Sequence, residues 1–155
     1  MIRIRAYQPS DKDQLRELVI ESNLYQKQRL EQESLNVEEV QTGTARIFNQ
    51  NIEEKNFQYI VAEDNQKLVG FVLVEVSSMY VGKGSIDDLY LRETYRGQGI
   101  GKKLVQAAID WLKQKNIQSV SLAVHKTNQA AIKLYTEFGF TDESESYRYL
   151  RKELT

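Results

Sequence analysis

Arg96-Gly97-Gln98-Gly99-Ile100-Gly101 joins a strand-like run, Ile86 to Leu91, to a helix-like run, Ile100 to Lys115. Glycine at three of five consecutive positions strips side chains from one side of that turn. A helix starting there aims its unpaired N–H groups and the positive end of its dipole at the same point. A phosphate group is the ligand that such a turn holds best, through backbone alone. Glycines also serve ordinary tight turns, so the segment by itself is equally compatible with a turn that binds nothing.

The residues downstream narrow the choice. Leu122-Ala123-Val124 ends a second strand-like run, and Asn128, Ala131, Leu134-Tyr135 and Gly139-Phe140 follow at set intervals. Together, Arg-x-x-Gly-x-Gly and Asn-x-x-Ala-x-x-Leu-Tyr-x-x-x-Gly-Phe resemble the GNAT superfamily of acyl-CoA-dependent N-acyltransferases in order and spacing. The resemblance is strongest from Ser85 to Phe140. Ile2-Arg3-Ile4-Arg5 followed by Pro9-Ser10-Asp11 is similar, less specifically, to the family's first strand and helix entry.

This resemblance implies a cofactor and roles for named residues. Backbone amides of Arg96, Gly97, Gln98, Gly99, Ile100, Gly101 and Lys102 would hold the pyrophosphate of acetyl-CoA, and Leu89-Tyr90-Leu91 would pair by main chain with its pantetheine arm. Asn128 would bond that arm while capping its own helix, although the cap alone is the simpler account. Lys102 and Lys103 would reach outer phosphates or lie solvated. Tyr135 matches the position that gives a proton to the departing thiolate, a role suited to a phenol with a pKa of about 10. The plainer alternative packs Tyr135 on the apolar stripe with Leu134 and Phe138. Asp87 occupies the strand position where some diamine and polyamine acetyltransferases of this superfamily carry a glutamate acting as a water-mediated base; here the side chain is one methylene shorter. A salt bridge or turn cap is the other account of Asp87. Asp88 would point to the opposite face of a regular strand, which a bulge would change. His125 follows a strand end near the expected cleft, with no partner evident in the sequence.

Composition sets the frame. At 155 residues and 41% hydrophobic, the chain is expected to form one domain over residues 1–155. A net charge of −1 gives no long-range field to attract nucleic acid or an anionic membrane. With no cysteine there is no disulfide, no thiolate metal site and no cysteine nucleophile. No metal is expected. The start, Met1 to Arg5, lacks a signal-like apolar stretch, and no run approaches the ~20 apolar residues of a membrane span. The expected compartment is the cytoplasm.

The elements that must position these residues follow from periodicity. Ile2 and Ile4 alternate with arginines as a strand, and Ser10 offers an N-cap to a helix carrying Leu15, Leu18 and Val19. Residues 21–57 read as one or two polar helices. Tyr59 to Ala62 and Leu68 to Val76 flank an Asn/Asp turn and predict a hairpin. Leu104, Val105, Ala108, Ile109 and Leu112 form one helical stripe, and Asn116 offers a stop. Val120 to Val124 reads as a strand, Asn128 caps a short helix, and Tyr147 to Leu150 reads as a last strand. The expected fold is α/β (α+β): a GNAT-like mixed sheet of about six to seven strands with helices on both faces. The expected activity is direct acetyl transfer from acetyl-CoA to a primary amine of a small molecule. Protein N-terminal or lysine acetylation and a non-catalytic acyl-CoA-binding domain are the alternatives, and a homodimer is compatible with each.

Overall fold

Alternating apolar residues build five strands: β1 (Ile2–Ala6), β2 (Phe57–Asp64), β3 (Lys67–Val76), β4 (Lys83–Leu91) and β5 (Ser119–Leu122). Four α-helices join them: α1 (Lys12–Tyr25), α2 (Val37–Asn51), α3 (Ile100–Gln114) and α4 (Gln129–Glu137). The computed structural model describes residues 1–31, 34–143 and 150–153. The sheet order is β1-β2-β3-β4-β5, antiparallel through β4 and parallel between β4 and β5. Five strands among the described residues is fewer than the six to seven expected; the last of those, from Tyr147, falls on residues outside the described ones.

Helices cover both sheet faces. On one, Val72, Val74 and Ile86 pack with Leu104, Val105 and Ala108 of α3 and Tyr135 of α4. On the other, Phe71 and Leu73 pack with Leu15 and Leu18 of α1 and Phe48 of α2. Each fully buried Leu, Val or Phe contributes about 1.5–3 kcal/mol. The apolar stripe of α3 is buried as its spacing predicts, with Ile109 half-buried. Asn116 lies just past the helix with φ of 59°, a left-handed stop. The β2–β3 turn places Asn65 and Gln66 at φ of 48° and 68°, as a two-residue hairpin with the sheet's twist requires.

The entry to α1 differs from the expected Ser10 cap. Pro9–Asp11 form a 3-10 turn, and buried Asp11 accepts the Gln8 N–H at 2.8 Å. Arg5 of β1 also donates to both Asp11 oxygens, at 2.7 and 2.8 Å. Asp11 precedes α1, but its carboxylate is taken up by Arg5 and the Gln8 N–H and makes no cap hydrogen bond to the helix. At the other end, α1 runs into a π-helix, Gln26–Glu31.

Two features of β4 position the site. Its pairing with β3 slips, Leu73 lying opposite Asp88 but Val74 opposite Ile86, so Asp87 is the extra residue of a bulge. Its other edge meets β5 only from the Lys83–Ser119 pair to the Ile86–Leu122 pair. From Asp87 to Leu91 that edge carries no strand among the described residues.

Close approach of β4 to its neighbours yields a test. A Cβ on Gly84 would sit 2.7 Å from the Glu75 carbonyl oxygen and 2.8 Å from Leu112 Cδ2. Gly84→Ala should therefore cost about 1–3 kcal/mol of stability through overpacking. Urea unfolding should show a lower midpoint at unchanged slope; an unchanged midpoint would mean that β4 can shift off β3 freely.

Candidate active site

The bare edge of β4 forms one wall of a cleft of about 150 Å³. Asp88, Leu89, Tyr90 and Leu91 line it from the strand, Ser22, Tyr25 and Gln26 from the end of α1 and the residue after it, and Asn128 and Ala130 from the start of α4. Arg96 closes one side. Its Nε donates to the Leu91 carbonyl at 2.7 Å, and its guanidinium lies 4.6 Å from the Tyr25 ring centroid and 5.7 Å from that of Tyr90. Stacking on two rings holds the cation in place.

The glycine turn continues from Arg96. Gly97 and Gly99 have φ of 74° and 79°, a left-handed backbone that favours glycine whether or not anything binds. Their Cβ positions meet no protein atom within 4 Å, so this face of the turn is bare. Gly101 differs, because its Cβ would touch Leu134 Cδ2 at 3.6 Å and so faces α4. Ile100 is buried in the core and offers only its backbone. Gln98 Nε2 donates back to the Thr94 carbonyl at 3.2 Å. Lys102 Nζ lies 4.0 Å from Glu137 on α4 rather than over the turn. A bare turn at the start of α3, opening beside an unpaired strand edge, fits a phosphate-bearing group with an amide-containing arm.

The two aspartates part company at the bulge. Asp87 is exposed, accepts the Ser85 hydroxyl at 2.5 Å, and is not among the residues lining the cleft. It also helps to push the Glu75 carboxyl up, after burial. Asp88 lines the cleft and accepts the hydroxyl of buried Ser22 at 3.1 Å from both oxygens. Burial pushes the Asp88 carboxyl up to about 6, against the Ser22 and Leu89 N–H hydrogen bonds that favour its charged form.

Tyr135 is 7% exposed, with its ring edge-to-face on Phe140 at 5.7 Å. Its hydroxyl bonds no group among the described residues, and none of their polar side-chain atoms is left fully buried without a partner. The hydroxyl therefore keeps a small exposed area, and Tyr135, like Asp87, is not among the residues lining the cleft. Burial first, and then the nearby Asp88 charge, push the phenol above its ordinary range.

Asn128 caps α4, its Oδ1 accepting from the Ala131 N–H at 3.2 Å, while lining the cleft. His125 turns its Nδ1 to Thr127 Oγ1 at 2.7 Å. Among the described residues no group of three or more His, Cys, Asp or Glu is placed to hold a metal ion, and no helix is long and apolar enough to cross a membrane. Sequence reasoning did not single out Ser22, Tyr25 or Gln26 as site residues. Their i, i+3, i+4 spacing was the available signal for one shared face.

Known proteins share the sequence pattern and the fold. A profile of the Acetyltransferase (GNAT) family matches residues 16–140. N-alpha-acetyltransferase 30 of Schizosaccharomyces pombe is 36% identical over 91 residues, 57% of this chain and 61% of that protein. A mycothiol acetyltransferase of Renibacterium salmoninarum is 30% identical over 95 residues, 58% of this chain and 28% of that protein. The chain thus spans less than two thirds of the length of these curated relatives. The fold is shared with the PaiA N-acetyltransferase of Thermoplasma acidophilum in complex with coenzyme A, at a TM-score of 0.72 and 24% identity over 93% of this chain and 94% of that one. It is shared also with a predicted acetyltransferase of Clostridium acetobutylicum with acetyl-CoA, at 0.75 and 21% over 97% and 96%. With the family's profile running through the bulge, the glycine turn and Tyr135, the chain belongs to the acetyltransferase (GNAT) family.

Proposed function

We propose that the chain transfers an acetyl group from acetyl-CoA directly to a primary amine, with Asp88 receiving the amine's proton and Tyr135 protonating the departing thiolate. The observation that carries this reading is the placement of Asp88 in the cleft, within electrostatic reach of the buried Tyr135 phenol and beside the bare glycine turn. Acetyl-CoA supplies an electrophilic thioester carbonyl. The chain supplies the rest: backbone amides from Gly97 to Lys102 for the pyrophosphate, the free edge at Leu89 to Leu91 for the arm, and two proton groups of opposite function. The amine attacks in its neutral form, its ammonium proton having passed to solvent. As the C–N bond forms and the C–S bond breaks, one proton leaves nitrogen for the Asp88 carboxylate and another passes from Tyr135 to sulfur. Exchange with solvent then returns a proton to the phenolate and removes one from Asp88.

The environments of the two groups suit those roles. A carboxyl titrating near 6 is ionised at neutral pH and accepts a proton; a phenol pushed upward stays protonated and donates one. We place the base at Asp88 rather than at Asp87 because the bulge turns Asp88 toward the cleft and leaves Asp87 bonded to Ser85 on the exposed strand surface.

For the acceptor, a small cationic amine is the leading reading, since the Asp88 carboxylate lines the cleft. A peptide α-amine is the second, favoured by the N-alpha-acetyltransferase of Schizosaccharomyces pombe among the relatives. A thiol-release screen of acetyl-CoA with polyamines, aminoglycosides, amino acids and short peptides separates them. Cofactor binding with no thioester consumption across the panel would instead indicate a non-catalytic domain.

Two substitutions test the chemistry. Tyr135→Phe keeps the ring against Phe140 and deletes a hydroxyl with no partner among the described residues, so the melting temperature and acetyl-CoA affinity should hold. Turnover should fall by about 10²–10⁴. Near-wild-type kcat would make Tyr135 a packing residue only.

Asp88→Asn should separate activity from stability. The folded-state pKa of about 6 lies above the ordinary 3.8, so the folded chain binds the proton more tightly than the unfolded one. Stability from this group is full below about pH 4 and falls as pH rises through 6, by an amount on the order of 1–3 kcal/mol. The Asn variant should therefore melt higher than the parent at pH 8, match it at pH 4, and lose most turnover. Thermal melts at the two pH values check the sign; a variant less stable at pH 8 would overturn it.

A further inference from the structure

Three consecutive residues near the end of α1 are tied to three different places. Glu21 takes Arg92 at the end of β4, with Nη2 at 2.7 Å and Nε at 3.1 Å. Asn23 Nδ2 donates to Thr44 Oγ1 of α2 at 2.8 Å. Between them Ser22 turns into the sheet, 4% exposed, with its hydroxyl 3.1 Å from each Asp88 oxygen. Successive helical side chains fan out by about 100°, so the flanking anchors fix the rotation of α1 and with it the direction of Ser22. One turn on, Tyr25 is held under Arg96.

Ser22 is also out of place by pattern. Leu15, Leu18 and Val19 mark the buried stripe of α1, and Ser22 occupies its next position, seven residues after Leu15. A hydroxyl in a buried apolar stripe is unfavourable unless hydrogen-bonded, and here its acceptor is the cleft carboxylate.

We propose that Ser22 is a positioning residue for acetyl transfer, whose hydroxyl holds the Asp88 carboxylate at the cleft wall. This rests on the reading of Asp88 as proton acceptor. The groups facing Asp88 from the packed elements are Ser22 on α1, Tyr135 on α4, Tyr59 on β2, and Asp87 with the Leu89 N–H on its own strand. Of these only Ser22 and the Leu89 N–H hydrogen-bond the charged form, whereas burial and the Asp87 charge oppose it. Deleting the hydroxyl leaves one donor against both, and the carboxyl must titrate at higher pH.

The test follows the Asp88 carboxyl directly by carbon-detected NMR titration in the parent and in Ser22→Ala, and compares kcat/KM against pH with an acceptor identified in the amine screen. Ser22→Ala should raise the Asp88 titration by about one pH unit and move the acid limb of the rate profile by the same amount. Ser22→Thr, which restores a hydroxyl, should return both toward the parent. An Asp88 titration unmoved in Ser22→Ala would overturn the inference even where Asp88→Asn abolishes turnover. A titration that moves while the acid limb stays would leave Ser22 tuning a carboxyl that is not the base, which overturns the catalytic reading itself.

Discussion

The slip in pairing that leaves Asp87 without an opposite number on β3 sets the direction of every side chain beyond it in β4. Side chains alternate along a strand, so without the slip Asp88 would share a face with Ile86 and be driven among the apolar residues of α3. With it, Asp88 turns toward α1 and meets Ser22, Leu89 and Leu91 pack on the α3 side, and Tyr90 packs on the α1 side. One inserted residue thus brings a carboxyl to the cleft while leaving both cores continuous.

The cleft depends equally on where pairing stops. β5 contacts β4 for four residue pairs and then leaves it, so among the described residues no strand pairs with the outer edge of Asp88 to Leu91, where the start of α4 lines the cleft. Tyr135 belongs to both sides of this arrangement: its ring is part of the core around Leu104 and its hydroxyl keeps a small exposed area. A rigid core mount holds a hydroxyl more accurately than a loop does. Burying Asp88 opposes folding, and the apolar contacts of two complete sheet faces offset it.

Local signals were the legible ones. The α3 stripe, the Asn65-Gln66 hairpin turn and the Arg96-to-Gly101 turn are written in residues that lie near one another in sequence, and each element formed where its spacing placed it. The bulge was not legible, because Ser85 to Leu89 contain no glycine or other local cue; it arises from pairing with β3. Asp87 was singled out by its match to a position in related acetyltransferases, and that match carries no information about which neighbour the bulge turns toward α1. The turn at Asp11 was hidden for a similar reason, since Arg5 reaches its carboxylate from a neighbouring element. Ser22 was visible as a polar break in an apolar stripe, but its acceptor, 66 residues away, was not.

The ties at Glu21, Ser22, Asn23 and Tyr25 end where the helix widens after Tyr25. The part of the chain that holds the carboxylate is therefore finished before the part that leads toward α2 begins. Gln26, the first residue past Tyr25, borders the cleft beside Asp88, so the widened turn meets the site at its rim. The residues that hold the carboxylate and the residue that borders its opening are thus neighbours in sequence that answer to different constraints, one set by packing and the other by what the cleft admits.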